Sequence, residues 1–278
     1  MIFTSLASGS SGNCTLLHTD DTDLLIDCGI SARRIGEELN ALGLSLEDID
    51  AVLVTHEHSD HIKGLKRLMS AYSIPVYASE GTLSALYQST KDEYFRFSGA
   101  DLMHGISADR EFQLGSALIC PFRIYHDAAA PLGFRIEAAG SGTAPEDRSR
   151  VSVCVTTDTG YFDDYIRDHL LYLDAALIES NHDRSMLVEG KYPMYLKRRI
   201  MSRKGHLCNN QSGKLLSEII SPRLRHVFLG HLSRENNTPE IALSTVISEV
   251  REALGERIAS GLSISVAPQD GMSEVVRL

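Results

Sequence analysis

The chain has 278 residues, 43 % of them apolar, and a formal net charge of −10. That is enough for one substantial core. No stretch approaches the roughly 20 apolar residues that cross a bilayer, the first residues carry no basic cluster of a secretory signal, and the overall acidity argues against a protein that binds nucleic acid along its whole surface. The five cysteines, Cys14, Cys28, Cys120, Cys154 and Cys208, are scattered and form no CxxC pair. They read as free thiols of a reducing cytoplasm, where the protein is expected to reside.

Taken in order, apolar or alternating runs rich in Val, Ile, Leu, Thr and Phe predict strands at 2–6, 13–18, 23–27, 51–54, 74–78, 117–124, 132–138, 151–157, 175–179, 226–230 and 263–267. Helical periodicity predicts helices at 31–42, 61–71, 80–89, 163–170, 193–202, 209–220 and 239–254. In the last of these, Ile241, Val246, Ile247 and Val250 fall near one face, Pro239 sits in the first turn and Gly255 follows the end. The early strands come mostly as hairpins and the later ones alternate with helices, so strands in sheet layers with helices outside are expected. The polar stretch 140–150, GSGTAPEDRSR, reads as an exposed hairpin loop and not as a linker, which leaves residues 1–278 as a single domain.

Where the strand at 51–54 ends, the chain reads THEHSDHIKG. His56 and His58 are two apart in an extended segment and share a face, so both imidazoles can reach one ion. Asp60 and His61 follow in the turn that starts the next predicted helix and aim at a neighbouring point. Imidazole and carboxylate together suit zinc, manganese or iron, and without a cation their crowding at a strand end would oppose folding.

His56-Glu57-His58-Ser59-Asp60-His61 resembles the HxHxDH signature of the metallo-β-lactamase superfamily, and the rest of that pattern follows in order. Asp27 in DLLIDCG matches the aspartate that braces the signature loop, His126 in FRIYHDA the isolated third histidine, Asp158 in VTTDTG the bridging carboxylate and His231 in VFLGHLS the final histidine. The resemblance implies an αββα sandwich of the α/β class. It also implies two divalent ions, one held by His56, His58, His126 and Asp158 and the other by Asp60, His61, Asp158 and His231. A hydroxide shared by such a pair would be the nucleophile, with Asp60 doubling as proton acceptor. His206, in KGHLCNNQS, stands where phosphodiesterases of the superfamily place a histidine that protonates the leaving oxygen. His182, in IESNHD, is a candidate for substrate contact or for a hydrogen-bonded rim position, and Glu179 could orient a histidine. His18, His104, His169 and His226 carry no local signal and read as structural or exposed.

The 73 residues from Asp158 to His231 are too few for the inserted domain of β-CASP nucleases. No cysteine occupies the bridging position, and no flavin-binding extension follows His231. The segments SLASGSSGNC, IESNHD, GKYPMYLKRRI, KGHLCNNQS and GHLSRENN together resemble the YycJ/WalJ family (also called VicX), with Cys208 standing where a serine is expected. That resemblance implies a nuclease acting 5′ to 3′ on double-stranded DNA. Endo- or exo-action, polarity and the choice of DNA come from the resemblance and not from the residues. A metallo-hydrolase of a small ester, thioester or lactone is the alternative.

The charge pattern bears on the substrate independently. Residues 191–204, KYPMYLKRRIMSRK, hold six cations and no acid and lead into His206. Lys197, Arg198 and Arg199 are candidate phosphate contacts, with Tyr192 and Tyr195 able to stack on an end base. The same segment also reads as an amphipathic helix with Leu196 and Ile200 inward and a solvated basic face. The small-residue stretch 8–13 is a tight turn that the resemblance places at the active edge, which makes Ser11 and Asn13 candidate substrate contacts. Ser233, Asn236 and Asn237, after His231, could bond substrate or hold the ligand loop.

Overall fold

The computed structural model describes residues 1–89, 99–139, 150–256 and 261–278, so the loop expected at 140–150 lies outside the described residues except for Arg150. The chain divides into two compact units. One comprises Met1–Arg123, Ala128–Val151 and Pro268–Leu278, the other Ile124–Asp127 and Ser152–Ala267. No helix among the described residues is long and apolar enough to cross a membrane.

The first unit runs β1 (Ile2–Ala7), β2 (Cys14–His18), β3 (Asp23–Ile26), α1 (Ala32–Ala41), β4 (Ala51–Leu53), α2 (Ser59–Ile62), α3 (Leu65–Tyr72), β5 (Val76–Ser79), α4 (Glu80–Ser89), β6 (Met103–Ile106), β7 (Phe112–Leu114), β8 (Ala117–Arg123) and β9 (Leu132–Ala139), and the chain returns to it as β14 (Val276–Arg277). One mixed sheet has the order β14-β1-β2-β3-β4-β5-β6. It is antiparallel from β14 to β3 and parallel from β3 to β6. The parallel strands β3 and β4 are buried along their whole length, which is why DLLI and AVL read as unbroken apolar runs instead of alternating ones. Leu25, Val52 and Val54 pack with Ile35 and Leu39 of α1 and Leu68 of α3 in one apolar cluster. The antiparallel hairpins β7-β8-β9 complete the unit.

The second unit contains β10 (Arg150–Thr156, within the unit from Ser152), α5 (Asp164–His169), β11 (Ala175–Glu179), α6 (Arg184–Glu189), α7 (Met194–Ile200), α8 (Asn209–Ile219), β12 (His226–Gly230), α9 (Pro239–Leu254) and β13 (Ser263–Val266). Its strands β10-β11-β12-β13 are parallel neighbours in chain order. Parallel pairing gives all their carboxyl ends one direction, and in such sheets ligands gather at those ends. Three of its helices, α5, α6 and α9, start on side-chain caps. Asp163, Asp183 and Thr238 accept from the backbone N–H three residues on, each cap contributing about 1 kcal/mol.

The sequence places most of these elements. The helix at 239–254 and the strands at 175–179 and 226–230 have the expected bounds. The helix expected at 61–71 is instead two, α2 and α3, because Gly64 N–H donates to Cys28 O (2.8 Å) and docks the chain against the loop after β3. The short strands β6, β7 and β14 and the helix α6 were not expected. Two- to four-residue strands carry too little periodicity to register, whereas α6 had a readable cap in Asp183.

The loop after β3 docks the signature segment through a set of backbone bonds. Asn13 N–H donates to Asp60 O (2.8 Å), Cys28 N–H to His61 O (2.8 Å) and Gly29 N–H to Asn13 O (2.7 Å). The approach is so close that a Cβ on Gly29 would lie 1.6 Å from Asp60 O. Gly29→Ala is therefore expected to force the loop apart and cost more than about 2 kcal/mol. Urea denaturation would show this as a lowered midpoint, and an unchanged midpoint would refute the docking.

Candidate metal centre and its histidine brackets

In the first unit the site grows from β3 and β4. Asp27 directly follows β3 and is in the left-handed region (φ 61°), a conformation that aspartate tolerates better than most residues. The turn sends its carboxylate sideways under the next strand. There Thr55 donates to it twice, from N–H to Oδ1 (2.8 Å) and from its hydroxyl to Oδ2 (2.9 Å). His61 Nδ1 lies 2.7 Å from Asp27 Oδ2. A carboxylate only accepts, so His61 carries its proton on Nδ1 and keeps a lone pair on Nε2. Thr55 Oγ1 in turn accepts from His56 Nδ1 (3.0 Å), which fixes the same tautomer there. His58 is the N-cap residue of α2, and Asp60 lies in that helix's first turn. The ring centroids of His58 and His61 are 4.6 and 4.1 Å from that of His56, and Asp60 Oδ2 is 3.7 Å from His61 Nε2. His56 and His61 are fully buried.

Two of the small residues at 8–13 have different fates. Asn13 is buried, accepts from Gly9 N–H (2.9 Å) and donates from Nδ2 to His61 Nε2 (3.1 Å). Ser11 is exposed in the turn before it.

In the second unit the strand ends repeat the device. Asp158 (φ 58°) and His231 (φ 56°) are left-handed where the chain leaves β10 and β12, and backbone strain of this kind persists only where surrounding contacts over-determine it. Between them Glu179 ends β11, fully buried. Its Oε1 accepts from Nδ1 of both His206 (2.7 Å) and His231 (3.0 Å), and its Oε2 from Thr159 N–H (2.7 Å). Burial pushes this carboxyl up, but the His206 charge and the hydrogen bonds from His206 and His231 outweigh it and hold it below the usual range. Asp158 Oδ1 is 3.4 Å from His231 Nδ1, 3.7 Å from His126 Nε2 and 3.8 Å from His206 Nδ1. His126 Nδ1 donates to Gly205 O (3.3 Å), and burial pushes its imidazolium form down. Asp158, Glu179, His206 and His231 each offer a ligand atom within 4.8 Å of the others.

The donors fit divalent metal. His56, His61, His126 and His231 each commit Nδ1 to a protein oxygen and carry the lone pair on Nε2, which at His61 accepts from Asn13. This is the tautomer that a metal-ligating histidine takes when an outer partner holds its other nitrogen.

Other expected contacts lie elsewhere. Lys197, read from the sequence as a phosphate contact, is only 7 % exposed and donates from Nζ to Val188 O (2.6 Å). The Val188 carbonyl near the end of α6 gives its ammonium a fixed partner, so its role is to join α6 to α7. Arg199 pairs with Asp127 (2.5 Å), whose other oxygen is 3.4 Å from His126 Nε2. Arg198 is exposed. Asn236 is 1 % exposed and bonds Ser233 through both its backbone and amide nitrogens, which ties the loop after His231. His182 is buried and bridges Cys208 through its backbone. Cys208 takes the N-cap position of α8, where Gln211 Oε1 accepts from its N–H (3.1 Å).

Behind His231 lies a buried amide network of which the sequence indicated only Asn237, as a residue that could hold the ligand loop. Asn181 Nδ2 donates to His231 O (2.8 Å), Asn237 Nδ2 donates to Ser180 O (2.9 Å), and Asn209 and Asn237 exchange amide bonds at 3.0 and 2.9 Å. The available signal was the position of Asn181, two residues beyond β11, and of Asn237, just before the N-cap Thr238 of α9.

The sequence model of the beta-lactamase superfamily domain matches residues 22–231. The chain is 35 % identical over 266 residues to a Bacillus anthracis protein named exodeoxyribonuclease YycJ, covering 94 % of this chain and 93 % of that one. It is 36 % identical over 251 residues to the exodeoxyribonuclease WalJ of Streptococcus pneumoniae, covering 90 % and 88 %. Among solved structures, Zn(2+)-bound PqqB from Methylobacterium extorquens matches with a TM-score of 0.66 at 18 % identity over 99 % of this chain and 100 % of its own, a likeness of fold.

Burial lowers the His182 imidazole from 6.5 to about 4. The unfolded chain therefore takes up this proton near pH 6.5 and the native chain only near pH 4, so the stabilisation present above 6.5 is lost as pH falls across that window. The expected loss is up to about 3 kcal/mol. Chemical denaturation from pH 7 to 4 should show the slope, and His182→Gln should flatten it. An unchanged slope in the variant would remove His182 as its source.

Proposed function

This chain belongs to the metallo-β-lactamase superfamily and, within it, to the YycJ/WalJ family with its αββα fold, and we propose that it is a metal-dependent phosphodiesterase that removes nucleotides from the 5′ end of double-stranded DNA. The observation that carries the reading is the pairing of His206 with Glu179 beside Asp158. Such an imidazole, backed by a buried carboxylate and outside the expected ligand set, is what a leaving alkoxide requires and what a purely structural metal site has no use for. The names of the YycJ and WalJ relatives support the substrate.

By the family pattern His56, His58, His126 and Asp158 would hold one cation, and Asp60, His61, Asp158 and His231 a second, with zinc, manganese or iron suited to these donors. Such cations supply Lewis-acid stabilisation of the phosphoryl oxygens and lower the pKa of water. The protein's residues do the rest. Asp60 accepts the proton of the attacking water. His206, its Nδ1 proton held by Glu179, presents Nε2 to the leaving oxygen and transfers a proton there. Asp27 and Glu179 keep the ligand imidazoles in one tautomer. Arg198, Arg203 and Lys204, all exposed, attract the phosphates.

Cleavage of a 5′-labelled duplex is expected to stop with EDTA and return on adding zinc or manganese. Asp158→Ala should abolish it, and His206→Ala should reduce kcat by about 10²–10⁴-fold. Turnover of small esters or thioesters with no cleavage of any duplex would replace this reading with a small-ester hydrolase.

Two neighbouring cations of the segment 191–204 should separate cleanly. Arg198→Ala should lower the slope of log affinity against log salt by about 1. Lys197→Ala, which removes a fixed partner of Val188 O, should instead lower the unfolding midpoint. The reverse pattern in binding titrations and melts would overturn the assignment.

A further inference from the structure

Six large apolar side chains stand exposed among the described residues, and four of them, Val188 (57 %), Met194 (60 %), Tyr195 (75 %) and Met201 (42 %), lie within 14 residues of one another around α7. Apolar side chains scattered singly over a surface need no explanation, but a cluster does. At about 100° per residue, Met194, Arg198 and Met201 fall within one narrow arc of α7, with Tyr195 flanking it. The opposite side of the helix carries the half-buried Leu196 and Ile200, and the buried Lys197 lies at the edge of the arc beside Met201, so Met194, Arg198 and Met201 take no part in the core.

This ridge is fixed to the site. Ile200 O accepts from His206 N–H (2.9 Å), and Arg199 grips Asp127 next to His126. Apart from the exposed Glu189 next to Val188, its sequence surroundings are cationic. Lys191, Arg198, Arg203 and Lys204 are exposed, residues 191–204 contain no acid, and the Arg203 guanidinium lies 3.8 Å over the Tyr161 ring.

A flat apolar surface bordered by negative charge is the complement of an apolar ridge bordered by cations, and the end of a duplex is such a surface: a bare base pair between two phosphate chains. We propose that the Met194–Tyr195–Met201 face of α7 caps the terminal base pair of a DNA duplex and so directs the enzyme to ends. The inference rests on the nuclease reading and adds the reason for exo-action. Tyr195 provides the stacking ring, Met194 and Met201 supply polarizable side chains that fit any base pair, and Arg198 and Lys204 take the flanking phosphates. Contacts of this kind are indifferent to sequence because every base has a π-face.

The test uses the full chain and a blunt duplex with 2-aminopurine at the 5′-terminal position. Asp158→Ala protein should change the fluorescence of the terminal probe on binding. Adding Met194→Ala and Tyr195→Ala to it should abolish that change. In the otherwise wild-type chain the same pair should raise KM for blunt duplex about tenfold and erase the preference for blunt duplex over one closed at both ends by hairpin loops. Cleavage of blunt duplex by wild type with an unaltered KM and probe signal in the variants would overturn the cap alone. Failure of wild type to cleave any duplex would overturn the nuclease reading together with it. Sedimentation velocity gives the remaining outcome. If wild type self-associates and the double variant does not, this face joins two copies of the chain and the cap is wrong.

Discussion

Two buried carboxylates, Asp27 and Glu179, govern the chemistry of this protein because each fixes imidazoles that would otherwise be free to turn or to change tautomer. Asp27 holds His61 directly and His56 through Thr55. Glu179 holds His206 and His231 with one oxygen and Thr159 with the other. Charge-assisted bonds of this kind are about twice as strong as neutral ones, and losing one partner leaves a buried group unsatisfied at a cost of about 1–3 kcal/mol. The carboxylates therefore have two effects. They make a crowd of histidines compatible with a folded interior, and they leave Nε2 nitrogens as lone-pair donors for a cation.

The backbone makes this geometry possible. Asp27, Asp158 and His231 all take left-handed conformations one or two residues beyond strands. An extended strand alternates its side chains above and below the sheet. A single left-handed residue at its end breaks that alternation and turns one side chain across the strand ends. The strain falls on residues that the family pattern assigns to chemistry, and contacts such as Thr55 on Asp27 and Asn181 on the His231 carbonyl hold it in place.

The segment 191–204 shows how one run of like charges divides its duties. Lys197 is a buried strut, Arg199 clamps Asp127 beside His126, and Arg198 and Lys204 face solvent. Helical phase accounts for the division. Lys197 and Ile200 project towards neighbouring elements, whereas Arg198 and the apolar residues one turn away from it point outward. The amphipathic reading and the phosphate reading of this segment describe opposite sides of one helix.

The sequence alone determined most of the elements and the candidate donors. Periodicity located β11, β12 and α9 to the residue, and the spacing of His56, His58, Asp60 and His61 at a strand end already specified a metal-type cluster, because both signals are local and depend only on repeat and residue type. What tertiary structure decided was partnership. That Glu179 serves two histidines 27 and 52 residues away, that Asn13 reaches His61, that Lys197 is buried on Val188 and that Asn236 closes a loop all depend on which strand ends and turns lie side by side. A hydrogen bond is satisfied by proximity in space, and nothing in the linear pattern around either partner encodes the identity of the other.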